Sequence, residues 1–290
     1  MLFKYKSIVP PLATKLYDVL VNKYPDLQND NIKSLQKVFQ EDFEKGILSL
    51  NEKYPHFLSV FQRCMAHYFF QFGSTITIKK DNLYYKLACE LKSRSNKFSL
   101  VTLNYERIVE LCFADAGINL YCNQQIQEDQ LEICFPHGCC HLFCEGIKAS
   151  SNGVLFSGMN ISTNGSVIAL KKLKDFENRI RNDAMPPVMS YFEPSKITTS
   201  GANFITSQRE RFKNLVSVAK KIIIIGIKIR PSDEHIWNPL SESDAKLFYC
   251  SGVNEKESFE KWTSAHSRKN DQFLDGYFDA SFNSIINLII

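Results

Sequence analysis

The sequence predicts an α/β protein: a Rossmann-like parallel sheet flanked by helices, with a helical lobe beside it. Three observations carry that prediction. Apolar residues recur at helical spacing through residues 12–95, with no clear strand among them. From residue 98, short apolar runs alternate with helical periodicity, the pattern of a parallel sheet covered by helices. Lys221–Ile227, dominated by Ile222–Ile225, is the β-branched run expected of a central parallel strand buried on both faces. The 290 residues read as a single domain, 1–290, in which 12–95 are the mainly helical lobe and 96–290 the Rossmann-like core.

In chain order, Pro10 and Pro11 open a helix that runs to Tyr24, with Leu12, Leu16 and Leu20 on one face. A second helix is expected over Asn31–Lys45, where Ile32, Leu35, Phe39 and Phe43 form the stripe. A third spans Pro55–Phe72; Phe57, Phe61, Met65, Tyr68 and Phe72 read as core rather than as a cofactor box. Asp81 is the expected N-cap of a fourth, which carries Leu83, Leu87 and Leu91.

A strand over Phe98–Leu103 turns sharply into a helix with Ile108, Leu111 and Cys112, closed by Gly117. Ile118–Cys122 and Leu131–Phe135 are short candidate strands. Residues 145–165, rich in Gly, Ser and Asn, read as loops. Helices are expected around Val167–Arg181 and Gln208–Lys220, and a strand at Val188–Phe192. A short helix runs through Trp237, Lys246–Cys250 is a strand, and helices at Glu255–His266 and Phe278–Leu288 complete the chain.

Composition narrows the function classes. The chain is 44% hydrophobic and 23% charged, ordinary values for a globular protein with a core. A net charge of +4 is too small to argue for nucleic acid. The basic run at Lys171–Arg181 is offset by Asp175 and Glu177 and reads as a solvated helix face. No apolar run reaches membrane-spanning length, and Met1–Lys6 lacks the core of a signal peptide. Nine cysteines is an odd number, so reduced thiols in a cytoplasm are the simplest account.

Ligands of open α/β sheets gather at the carboxyl ends of the strands. Those ends offer Thr102 with Asn104-Tyr105-Glu106, then His137-Gly138, then Gly226 with Ser232 and Asp233, and finally Ser251-Gly252. A plainer reading is that Asn104 and Glu106 cap the helix after them, and that Ser232 or Asp233 caps another.

Thr102-Leu103-Asn104-Tyr105-Glu106 resembles the Thr-Gln-Asn-Ile-Asp or Thr-Thr-Asn-Tyr-Asp motif of the sirtuin superfamily. Pro136-His137-Gly138 resembles the His-Gly motif that holds that family's catalytic histidine. Ile222–Ile227 with Pro231-Ser232-Asp233-Glu234-His235-Ile236 is similar to a segment of its bacterial branch found in anti-phage defence. The resemblance covers roughly residues 8–252 in matching order. It implies cleavage of NAD+ with release of nicotinamide. Asn104 would hold the water or the ribose, Glu106 would bond the nicotinamide ribose region, and His137 would act on a ribose hydroxyl or as a base. Thr102, Tyr105, Gly138, Gly226, Ser232, Asp233 and Ser251 would line the NAD+ site. Homo-oligomers or a defence-system partner protein are also implied by the resemblance.

Two features depart from that pattern. Glu106 stands where the family has Asp, which lengthens the carboxylate by one methylene. The family's Gly-Ala-Gly-Ala-Ser phosphate cradle has no counterpart: Pro10-Pro11-Leu12 resembles the segment after it, and no Gly-x-Gly occurs in the chain. Either the true start lies upstream or the cradle has been lost. The missing loop motivates a second hypothesis, a catalytically silent module that binds a partner protein or a nucleotide. Cys134, His137, Cys139, Cys140, His141 and Cys144 suggest zinc, but there is no Cys-x-x-Cys pair and adjacent cysteines do not easily close one tetrahedron. No metal is expected on that argument.

Overall fold

The computed structural model describes residues 13–75, 78–94, 98–122, 131–145, 165–183, 185–190, 200–230 and 233–289. The expected helix start at Pro10-Pro11, most of the 145–165 loops, Phe192, Pro231 and Ser232 lie outside them. The described residues form a mixed α/β fold of twelve α-helices and small, mostly parallel sheets. Every described element between 12 and 95 is helical. No described helix is long and apolar enough to cross a membrane. The chain divides into two compact units: Met1–Thr77, Thr102–Ile108 and Phe135–Ser207 in the first, and Ile78–Val101, Val109–Cys134 and Gln208–Ile290 in the second.

In the first unit, α1 (Ala13–Lys23) is followed by three short helices where one was expected over Asn31–Lys45: α2 (Asp30–Lys33), α3 (Gln36–Glu41) and α4 (Phe43–Lys53). Asp42 makes the second break. Its backbone is extended, and its carboxylate accepts the N–H groups of Glu44 and Lys45, so it caps α4 instead of continuing α3. The long helix α5 (Pro55–Thr75) buries Leu58, Phe61, Met65, Phe69 and Phe70, while Phe57, Tyr68 and Phe72 are only half-buried. Of the expected core stripe only Phe61 and Met65 are buried; Phe39 stacks between Tyr17 and Phe61, with centroids at 4.6 and 5.2 Å.

The helix expected at Val167–Arg181 is two elements. Val167–Ala169 is strand β5, paired antiparallel with β4 (Leu142–Cys144). The helix, α8, is Leu173–Asn182. The β-branched pair Val167-Ile168 prefers the pleated partner to a first helical turn. Phe176 of α8 stacks on Phe70 at 3.9 Å. Arg63 closes the end of α8 by donating to the carbonyls of Ile180, at 2.7 Å, and Asp183.

In the second unit, α6 (Leu83–Lys92) is capped by Asn82 rather than Asp81; the Asn82 side chain accepts from Tyr84 and Tyr85 N–H. Strands β1 (Ser99–Val101), β2 (Leu120–Tyr121) and β3 (Leu131–Cys134) pair in parallel in the order β1-β3-β2. All three are shorter than the sequence runs. α7 (Ile108–Asp115) leads to Gly117, whose positive φ of 74° closes the helix as expected. A second parallel set, β6 (Lys221–Ile225), β7 (Lys246–Ser251) and β8 (Gln272–Asp275), pairs in the order β6-β7-β8.

The isoleucine strand β6 is therefore an edge of its three-stranded set, and most of its residues are half-buried. The central strand is β7, buried from Leu247 to Ser251. β-Branched content marked a strand correctly but did not rank its burial. Helices α9 (Ala202–Val218), α10 (Glu234–Glu242), α11 (Lys256–Ala265) and α12 (Phe278–Ile289) accompany these strands in sequence. Arg211 grips Glu132 of β3 through two hydrogen bonds at 2.5 and 2.7 Å, which satisfies a carboxylate that is only 5% exposed. The expected strand at Val188–Phe192 is reduced, in its described part, to one isolated bridge between Gly138 and Met189.

Candidate functional site

Three stretches distant in sequence meet in the first unit: 102–107, 135–142 and 188–190. Backbone hydrogen bonds knit them. Gly138 N–H donates to Phe135 O at 2.9 Å and closes a turn over Pro136-His137. Cys139 N–H donates to Val188 O at 3.0 Å, Ser190 N–H to His137 O at 2.9 Å, and Val188 N–H to Leu142 O at 2.8 Å. Cys140 N–H donates to Tyr105 O at 3.0 Å. The Tyr105 hydroxyl donates to Ser190 O at 2.5 Å. The structure thus brings Thr102, Asn104, Tyr105, Glu106, His137 and Gly138 into one neighbourhood.

Gly138 is required there. Its φ is +74°, and a Cβ at this position would lie 2.0 Å from Val188 O. Only a residue without a side chain lets the 188–190 stretch approach this closely.

Thr102 Oγ1 accepts Asn104 N–H at 3.2 Å and shapes the turn after β1. Asn104 is exposed, and its amide donates to Glu106 Oε1 at 3.3 Å. Neither side chain hydrogen-bonds the helix that follows, so the capping reading does not account for them. Glu106 is 6% exposed. Burial pushes its carboxyl up to about 6, while its own backbone N–H and the Asn104 amide pull the other way. His137 is buried, with its ring 6.5 Å from that of Tyr105.

Of two further neighbours, Arg107 was not singled out by its sequence signal, and His141 stood out only in the cysteine–histidine run weighed for zinc. Arg107 is buried, lies over the Phe70 ring at 4.5 Å and donates to the carbonyls of Leu170 and Lys171. His141 is buried with Nδ1 3.1 Å from Cys139 Sγ. Desolvation first, then the charges of Arg107 and Lys171, push the His141 imidazole down to about 3. It is neutral at any physiological pH. Ser190 carried no signal beyond a candidate strand.

Gly226, Asp233 and Ser251 belong to the second unit. Gly226 follows β6 with φ +68°, donates to Cys250 O at 3.1 Å, and has open space where a Cβ would stand. Ser251 ends β7 and is buried. Asp233 occupies the N-cap position of α10 without a side-chain capping bond. The ends of adjacent parallel strands thus present a bare backbone and a small hydroxyl, the surroundings in which open sheets bind ligands.

No family model matches the chain, and a search of curated proteins finds no match.

Proposed function

We propose that the chain is a sirtuin-like NAD+ glycohydrolase with a Rossmann-like core, which releases nicotinamide in a cytoplasmic, defence-type system. The observation that carries the proposal is the meeting of Asn104 and Glu106 with His137-Gly138, two stretches whose motifs resemble one family. The chemistry is hydrolysis of the bond between the nicotinamide nitrogen and the ribose carbon. The bond's electron pair leaves with nicotinamide, positive charge develops on the ribose, and water adds with loss of a proton.

The exposed Asn104 amide holds the water or a ribose hydroxyl. Glu106, ionised above about pH 6, presents negative charge towards the nicotinamide ribose and stabilises the cation that forms there. His137 acts on a ribose hydroxyl or as the base. Thr102 and Tyr105 hold the turn that carries Asn104. Oligomerisation, or a defence-system partner protein, is part of the same reading.

The test is nicotinamide release from NAD+ by the purified chain. Asn104→Ala and His137→Ala are each expected to lower turnover by roughly 100-fold or more, the scale of losing an electrostatic or acid–base contribution. Unchanged turnover in both variants would refute the residue assignment. The absence of Gly-x-Gly from the chain favours a second reading, a silent module that binds a nucleotide or a partner protein. No turnover by the intact chain, with NAD+ binding detected by calorimetry, would support that reading over the first.

A further inference from the structure

We infer that Cys139, Cys140 and His141 form a binding site for a thiophilic divalent cation of the zinc class. The sequence argued against a shared ion because it holds no Cys-x-x-Cys pair and adjacent cysteines do not easily close one tetrahedron; on an extended chain their side chains point apart. The chain here is not extended. Leu142 N–H donates to Cys139 O at 3.2 Å, so residues 139–142 close a turn that gathers their side chains. One donor atom from each of Cys139, Cys140 and His141 lies within 4.8 Å of the other two.

The geometry is near what zinc needs. With Zn–S near 2.3 Å and Zn–N near 2.0 Å, neighbouring donors of a tetrahedral ion stand roughly 3.5–3.8 Å apart. The widest permitted spacing here must shrink by on the order of 1 Å, within the reach of side-chain rotation. The pair His141 Nδ1 and Cys139 Sγ is already at 3.1 Å. A fourth donor is at hand in the Tyr105 carbonyl oxygen, 3.1 Å from Cys139 Sγ.

Charge balance also suits the place. Both cysteines are fully buried and His141 is 6% exposed. A dication with two thiolates and a neutral imidazole carries no net charge, so the occupied site avoids a buried unpaired charge. Each thiol gives its proton to solvent as the ion enters. The ion would fasten the turn after Gly138 to the Tyr105 stretch, and so stiffen the neighbourhood of His137.

The intact chain, purified and treated with chelator, would be titrated with Zn2+ against a chromophoric competitor, and with Cd2+ while following thiolate-to-metal absorption. One Zn2+ per chain is expected, with a thiolate band on Cd2+ addition. Cys140→Ser should lose both, whereas Cys89→Ser, which changes an exposed thiol, should keep both. The wild-type melting temperature should rise with Zn2+ and stay unchanged with Mg2+, a readout that does not depend on a variant folding. No tight Zn2+ binding by the wild type, or binding undiminished in a folded Cys140→Ser, overturns the site.

Discussion

The turn at His137 and the end of strand β6 each hold a glycine in the left-handed region, at φ +74° for Gly138 and +68° for Gly226. Their backbones are alike and their surroundings are opposite. Gly138 presses on the Val188 carbonyl, whereas nothing stands within 4 Å of a Cβ built on Gly226. One glycine is there to let chain stretches touch, and the other leaves space open beside a strand end. The first belongs to an irregular knot held by contacts across many residues, the second to an ordinary parallel pairing.

The comparison breaks most visibly on paired alanines. In both variants the left-handed backbone costs an alanine roughly 1–2 kcal/mol. At Gly138 the collision with Val188 O adds about 1–3 kcal/mol of forced rearrangement, on the scale of overpacked cores. Chemical denaturation should therefore place Gly138→Ala well below Gly226→Ala in stability. Gly138→Ala should also lose the proposed NAD+ cleavage, since the Val188–Ser190 stretch cannot stay bonded to His137 and Cys139. Equal losses of stability in the two variants would mean that the close approach at Gly138 is not a constraint on the fold.

That contrast also explains what was legible in the sequence. Helices α5, α7, α11 and α12 and strands β6 and β7 follow from local periodicity, and Gly117 from its place after an apolar stripe. Strand β8 was missed because Gln272–Asp275 is a short polar-flanked run with a single buried residue, Leu274. Of the two breaks within residues 30–53, the second was missed because Asp42 sits within a stripe whose period continues through it. The candidate site was half legible. Asn104, Glu106 and His137 stood out at strand ends. Their link through Val188–Ser190 did not, because hydrogen bonds spanning 85 residues, as from Tyr105 to Ser190, leave no periodic trace. The buried state of Glu106 was equally silent, since two residues on from an exposed asparagine nothing local forces a carboxylate inside.

Glu106 supplies the next test, and its effect reverses the usual direction of a site mutation. Its carboxyl titrates near 6 in the fold against an ordinary value of 4.5. Below the ordinary value both folded and unfolded chains are protonated and the group has no effect. As pH rises through 4.5 to 6 the unfolded chain ionises first, and stability falls by about 2 kcal/mol in all. Glu106→Gln removes that loss. The variant should match the wild type near pH 4 and melt higher at pH 8, while the proposed NAD+ cleavage drops. The proposed cleavage by the wild type should itself rise with pH through about 6. A stability difference that stays constant with pH would place the carboxylate in contact with water.

The smallest expected effect tests the knot at a single bond. Tyr105 spans its two sides: its carbonyl accepts from Cys140 N–H and its hydroxyl donates to Ser190 O. Tyr105→Phe keeps the ring, its packing against Phe69 and its backbone bond, and removes only the hydroxyl. The Ser190 carbonyl belongs to a fully buried residue, so the change should cost about 1 kcal/mol or slightly more. If the knot acts as a unit, the same variant should speed hydrogen exchange at the Ser190 and Cys139 amides, which bond the facing stretch. Faster exchange at those two amides, with β6–β8 unchanged, would establish that the knot loosens cooperatively. Exchange unchanged at both would reduce the hydroxyl to a local contact and leave the backbone ladder alone to hold His137 in place.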